Sequence, residues 1–200
     1  MDETIAQRVF DCLKTEGIAI YQGDTSPIGQ IEWERLEFII NNENLKVEVI
    51  PTDDNASEIK VARFIVEKGN MPSFVEKNYA EEVFQIVGSS EFIAFLEKAT
   101  GIKKLAIVRC QGNYLFKNGY IGIHSDNEHY PHYRLSVLLH FDNDYEGGEF
   151  VYYKGPRFER KVCNLSKNTV VILLGTVPHE VLKVRSGKRR TIVLFLTSNV

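Results

Sequence analysis

The sequence predicts a mainly β domain, a sandwich or rolled barrel, with helices packed on one of its outer faces. Three observations predict it. From Lys103 onward the chain divides into roughly eight short runs rich in β-branched and aromatic residues. Turn-forming stretches separate these runs: "KNG", "DNDYEGG", "KGP", "SKN" and "RSGK". Helical periodicity is confined to the first hundred residues. Strands so closely spaced leave no room for crossover helices, which excludes a βαβ sheet.

Taken in order, Ile5, Val9 and Leu13 recur at helical spacing, and Gly17 follows as a stop. "IAIY" reads as a short strand and "QIEWERLEFII" as a second helix, while "LKVEVI" and "IKVARFIV" read as strands. "YAEEVFQIVG" and "SEFIAFLEKATG" read as two further helices, the latter capped by Ser89 or Ser90 and closed by Gly101. The later strands are "KKLAIVRC", "YIGIH", "YRLSVLLHFD", "EFVYYK", "RFERKV", "TVVILL", "HEVLKV" and "RRTIVLFLT". Residues 1–102 thus form a helix-rich support region with a few strands, and residues 103–200 form the β core of one domain. Two hundred residues suffice to bury a core without disulfides or structural metals.

Composition narrows the function classes. A formal charge of -3 with 26% charged residues gives no basic surface for nucleic acid or anionic membrane, so neither is an expected partner. Cys12, Cys110 and Cys163 are odd in number and widely spaced, which fits a reducing compartment. The charged, amphipathic start "MDETIAQRVFDCLKTEG" is not a signal peptide, and no apolar run approaches the ~20 residues of a membrane span. The expectation is a cytoplasmic protein. Its oligomeric state is not legible.

The chemistry concentrates in "YIGIHSDNEHYPHYR", which holds three of the chain's 5 histidines. His124 and Asp126 are two apart, so on extended backbone an imidazole and a carboxylate point the same way. His129 and His132 lie in a polar, proline-containing loop and read as solvent-facing or rim residues. His140 shares a strand face with Ser136 and Leu138, as a core or pocket-lining histidine. His179 opens a strand after an apolar run and can approach His124 if the strands roll up. Two imidazoles and one carboxylate on one side of an ion form a facial triad suited to non-haem Fe(II). "RSGKRR" adds arginines about 16 Å along the ladder from His179 if Ser186–Gly187 closes a hairpin, which suits a short dicarboxylate. Its alternative is a solvated basic edge.

Together, "HSD" (124–126), "YRLSVLLHFDNDYEGGEFVYY" (133–153) and "PHEVLKVRSGKRRTIVLF" (178–195) resemble the 2-oxoglutarate and Fe(II)-dependent dioxygenases, specifically their prolyl-4-hydroxylase-like branch. The likeness covers roughly residues 103–197. It implies a double-stranded β-helix (jelly roll) with the N-terminal helices packed on one sheet. It also implies His124, Asp126 and His179 as iron ligands, and Arg189 with Thr191 on the far carboxylate of 2-oxoglutarate. Tyr114 is similar to a tyrosine lining the cosubstrate pocket. His140 stands where relatives carry a cosubstrate-contacting tyrosine. Strict hairpin register would instead put Arg190 on the face of His179; family spacing favours Arg189, which we take.

The implied cofactors are Fe(II), 2-oxoglutarate and O2, with ascorbate as a candidate reductant. The implied reaction is hydroxylation of a C–H bond with release of succinate and CO2. Because Asp126 is retained, where halogenating relatives have a small residue, hydroxylation or a related oxidation is expected. The expected substrate is polar, a free amino acid or a peptidyl residue, met by a rim formed from "NEHYPHY" and residues 67–79. The competing class is a non-enzymatic β-barrel or cupin-like metal binder. A cupin would offer an H-x-H pair, whereas this chain offers H-x-D.

Overall fold

A long β sheet covered on both faces organises the molecule, seen in a computed structural model that describes residues 3–22, 27–51, 58–68 and 71–198. The apolar runs explain the double covering. β7 (Leu135–His140) is buried at all six positions, and β11 (Thr169–Leu174) at five of six. Strands with one wet face would alternate; these do not, because each face meets its own core.

Four helices form the outer layer: α1 (Glu3–Glu16), α2 (Gln30–Ile40), α3 (Lys77–Val87) and α4 (Ser90–Thr100). α1 stops at Gly17, whose φ of +74° is a conformation that a side chain would resist. α4 is capped by Ser89, whose hydroxyl accepts the Phe92 N–H at 3.2 Å. No described helix is long and apolar enough to cross a membrane.

Among the described residues the strands form three sheets. The eight-stranded sheet runs β1-β11-β7-β14-β5-β3-β2, with β4 paired to β3. Its further strands are β1 (Ile18–Tyr21), β2 (Glu48–Pro51), β3 (Glu58–Lys68), β4 (Met71–Phe74), β5 (Leu105–Leu115) and β14 (Arg189–Ser198). The four-stranded sheet runs β10-β9-β12-β6, from β6 (Ile121–His124), β9 (Phe150–Lys154), β10 (Glu159–Cys163) and β12 (His179–Val181). β8 (Tyr145–Gly147) and β13 (Val184–Gly187) pair with each other. This is the double-stranded β-helix, with helices on one sheet.

Side-chain alternation on β14 divides the two cores. Ile192, Leu194 and Leu196 enter the helix-side core with Leu36, Phe64, Phe95 and Leu139. Val193 enters the barrel interior with Leu115, Leu138, Phe150 and Val171. Truncating any fully buried leucine here, such as Leu194, would cost about 2–5 kcal/mol.

Three expectations change. "DNDYEGG" contains β8 rather than only a turn, and Met71–Phe74 in the expected rim segment is strand β4. Residues 69 and 70 of that rim segment lie outside the described residues. The proposed hairpin at Ser186–Gly187 does not form. Val184 pairs with Gly147 and Arg189 with Leu115, because the chain leaves the small sheet at Gly187 and joins the large one at Arg189. The register argument for Arg190 therefore loses its basis.

Candidate metal centre

β6 and β12 are antiparallel neighbours, and His124 is the direct cross-strand partner of His179. Their rings stand 4.4 Å apart between centroids. β6 ends at His124, so Asp126 sits in the turn just beyond the strand rather than on it. That turn still carries the carboxylate to the imidazoles. Asp126 Oδ1 is 3.4 Å from His124 Nε2 and 3.9 Å from His179 Nε2. One ligand atom from each of the three residues lies within 4.8 Å of the others.

The backbone fixes both imidazoles. His124 Nδ1 donates to the Gly122 carbonyl at 2.9 Å, and His179 Nδ1 donates to the Val177 carbonyl at 3.0 Å. A carbonyl only accepts, so each Nδ1 carries a proton, which leaves each Nε2, turned towards Asp126, as the nitrogen that can ligate. Burial pushes the Asp126 carboxyl up, but the adjacent His124 and His179 and the Ser136 hydroxyl outweigh it, leaving it below the usual carboxylate range. Burial pushes the His179 imidazole down, against the pull of Asp126. Asp126 Oδ2 is buried without a hydrogen-bond partner among the described residues. An anionic oxygen held beside two imidazole nitrogens, with a buried lone pair unused, fits a divalent transition metal.

The same narrow cavity, about 50 Å³, is lined by Asn113, Thr191 and Arg189 as well as the triad. Arg189 is 1% exposed, and its Nε and Nη2 have no hydrogen-bond partner among the described residues. Burial pulls its pKa down, opposed by the Tyr145 phenol and Asp142. A buried guanidinium with idle donors is costly unless an anion meets it. Thr191 lies two residues along the same strand face, directly opposite Asn113.

Arg190 points the other way. Its Nε lies 3.0 Å from Asp142 Oδ1 and its backbone N–H donates to Asp142 Oδ2 at 2.6 Å. Its Nη1 reaches Asn41 at the end of α2. It is a strut between the sheet and the helical layer.

Tyr114 faces this helix side too. It pairs with Arg190 across the ladder, and its hydroxyl donates to the Ile40 carbonyl at 3.0 Å. The expected place of Tyr114 in the cosubstrate pocket is therefore corrected: strand alternation sends Asn113, not Tyr114, into the cavity. His140 is fully buried, and its Nε2 lies 3.1 Å from the Tyr145 hydroxyl, which in turn neighbours Arg189. Burial and then the Arg189 charge push its pKa down to about 3, so it is neutral.

Tyr145, Asn113 and Ser136 escaped the sequence reading. Tyr145 was hidden in a segment taken for a turn, although the paired Gly147 and Gly148 mark the close approach that brings it to Arg189. His129 is exposed; His132 pairs with Glu67 at 3.0 Å, outside the triad.

Residues 110–197 match the family model described as the 2OG-Fe(II) oxygenase superfamily. No curated protein sequence matches the chain. Among solved structures, a 2OG-Fe(II) oxygenase family oxidoreductase from Burkholderia pseudomallei is 24% identical, with a TM-score of 0.88 over 98% of this chain and 92% of that one. A Trichoplax adhaerens prolyl hydroxylase, solved with a hypoxia inducible factor oxygen degradation domain peptide, is 13% identical, with a TM-score of 0.72 over 98% and 90%. The epimerase SnoN, in complex with Fe3+, alpha ketoglutarate and nogalamycin RO, is 10% identical, with a TM-score of 0.74 over 98% and 85%. At these identities the likenesses speak for the shared fold.

Proposed function

We propose that this chain, whose residues 110–197 match the 2OG-Fe(II) oxygenase superfamily model, is such an oxygenase and hydroxylates a C–H bond of a polar substrate. In this reading the chain is a dioxygenase dependent on iron and 2-oxoglutarate. The proposed reaction converts R–H, 2-oxoglutarate and O2 into R–OH, succinate and CO2. One observation carries the reading: the His124–Asp126–His179 cluster shares a cavity with a buried Arg189 whose Nε and Nη2 lack a hydrogen-bond partner among the described residues.

We assign His124 Nε2, His179 Nε2 and one Asp126 oxygen to the iron. When bound, iron and 2-oxoglutarate together supply the activation of O2 and the oxidising power. The chain's own residues do the rest. The two carbonyl-anchored imidazoles hold their orientation and present Nε2 to a metal. Arg189 binds the far carboxylate of the cosubstrate through its free guanidinium edge, and the Thr191 hydroxyl assists from the same strand face. Tyr145 and neutral His140 stand behind Arg189 and hold it in place. Phe150, Val181, Val193 and Leu138 wall the cavity and keep water from the reacting centre.

For the substrate, an amino acid or a peptidyl residue is our reading. The supports are the likeness to a prolyl hydroxylase seen with a peptide and the polar rim beside the triad. Cytoplasmic placement, from the reduced cysteines, belongs to the same reading. The test is anaerobic titration of the Fe(II)-loaded protein with 2-oxoglutarate. A weak visible charge-transfer band is expected. Its absence, together with no thermal protection by 2-oxoglutarate, would overturn the assignment.

A further inference from the structure

A second, larger cavity of about 470 Å³ opens beside the metal centre, within the range of small-molecule sites. β3 contributes Arg63, Val66 and Glu67; β5 contributes Arg109; the segment after the triad contributes Tyr130, His132 and Tyr133. Phe195 separates the two cavities. It lines the metal cavity, stacks on Tyr133 at 5.1 Å, and lies 5.5 Å beneath the Arg109 guanidinium.

A polar track joins the two cavities along one face of β5. Arg109 Nε donates to Gln111 Oε1 at 2.9 Å, and Gln111 Nε2 donates to Asn113 Oδ1 at 2.8 Å. Asn113 lines the metal cavity, so the track ends at the triad's chamber. Residues two apart on a strand are separated by roughly 7 Å, which places Arg109 two such steps outside Asn113. Gln111 and Asn113 are themselves buried. Buried amides chained end to end have few conformations, and here they fix the direction of the arginine fork.

The charged groups of this outer cavity are unevenly paired. Arg63 is paired with Glu48 at 2.8 Å, and Glu67 with His132 at 3.0 Å. Arg109 has a neutral amide as its hydrogen-bond partner and the faces of Tyr130 and Phe195 as its packing, with no carboxylate paired to it among the described residues. Stacking on two rings and the bond through Nε hold a rigid, planar fork whose Nη edge, beside the neutral Tyr133 hydroxyl, can meet a ligand.

We propose that this outer cavity is the substrate site and that Arg109 reads a carboxylate on the substrate, which projects its reacting C–H past Phe195 to the metal centre. The proposal rests on the oxygenase reading above and narrows it to acid-bearing substrates, such as a free amino acid or a peptide with a free carboxylate near the reacting residue. Arg109 is here a specificity residue, distinct from Arg189, which faces the inner cavity.

The test uses the Fe(II)-loaded protein with 2-oxoglutarate and two matched probe sets. One holds the free amino acids and short peptides with free C-terminal carboxylates; the other holds their carboxamides. Formation of the anaerobic iron–2-oxoglutarate band is checked first. Its absence would count against the oxygenase reading and take this proposal with it. With the band present, succinate release should rise with an acid probe, and kcat/KM for its carboxamide should be about 10- to 100-fold lower, the range for losing a charged hydrogen bond. Arg109→Gln should form the band yet lose the acid preference, while Arg109→Lys should keep it in weakened form. Equal response to acid and amide, a preference that survives in Arg109→Gln, or a band with no response to any acid probe would each overturn the proposal.

Discussion

Arg189 and Arg190 are adjacent in sequence, both buried, and point into different compartments of the molecule. Arg189 faces the barrel interior and the triad, with Nε and Nη2 lacking partners among the described residues. Arg190 faces the helical layer and clasps Asp142 through its backbone N–H and its guanidinium. One strand thus places one cation in a binding cavity and the next in the scaffold.

Their neutral variants should therefore fail in opposite ways. Arg189→Gln should raise the 2-oxoglutarate KM by at least about 100-fold, since a charged fork contact is worth roughly 1.5–3 kcal/mol per bond. Its metal-free stability should hold or rise, because a buried cation with two unpaired donors is lost. Arg190→Gln should cost about 3–5 kcal/mol in stability by leaving Asp142 buried alone, with little change in cosubstrate KM. Denaturant melts and cosubstrate titrations on the two variants check this. Matching profiles would refute the division.

Gly147 fixes the approach of β8 to β13 with a φ of +72°. A Cβ there would run into the Lys183 carbonyl oxygen, so both backbone strain and a clash with a rigid neighbour oppose any side chain. Gly147→Ala is expected to lower stability by about 1–3 kcal/mol or more. Because Tyr145 lies on the same short strand, it should also weaken 2-oxoglutarate binding. Thermal melts with and without 2-oxoglutarate separate the two effects, and an unchanged cosubstrate shift would disconnect Gly147 from the Arg189 pocket.

The β core was legible because turn chemistry and β-branched runs are local signals, and the capping at Ser89 and the stop at Gly17 were read the same way. His124, Asp126, His179 and Arg189 could be named because their motifs resemble those of a known family, and the structure puts all four around one cavity. The face on which Tyr114 and Arg190 lie could not be read. Strands buried on both sides carry apolar residues at every position, so alternation leaves no trace of which face is which. The hairpin assumed at Ser186–Gly187 failed for a related reason. A glycine turn signals a change of direction, but not whether the next strand rejoins the same sheet. Tyr145 and the Arg109–Gln111–Asn113 track were invisible because their roles arise from contacts between segments that no local pattern joins.

Asp126 supplies the only carboxylate of the described three-residue cluster, and it also screens two imidazoles from each other. Asp126→Ala should abolish tight metal binding, measured by calorimetry with Fe(II) or Co(II), and with it 2-oxoglutarate turnover. His124 and His179, their rings 4.4 Å apart, would then remain as the cluster's two ligands. Undiminished succinate production in this variant would remove Asp126 from the ligand set.

His140 makes the metal-free protein sensitive to acid in a window set by its own burial. Its pKa falls from 6.5 to about 3 in the fold, first through burial and then through the charge of Arg189. Above about pH 6.5 both folded and unfolded chains hold it neutral, so it gives no pH dependence there. Between that value and about 3 the unfolded chain takes up a proton that the folded chain refuses. Stability therefore falls on acidification, by at most about 1.4 kcal/mol per pH unit from this group. Replacing it by glutamine, which keeps a hydrogen bond to Tyr145 but cannot titrate, should flatten the acid limb. Urea unfolding of the metal-free wild type and His140→Gln between pH 8 and 4.5 measures the difference in slope. Parallel pH profiles would mean that His140 is protonated in the fold, and that the Arg189 pocket is wetter than its burial implies.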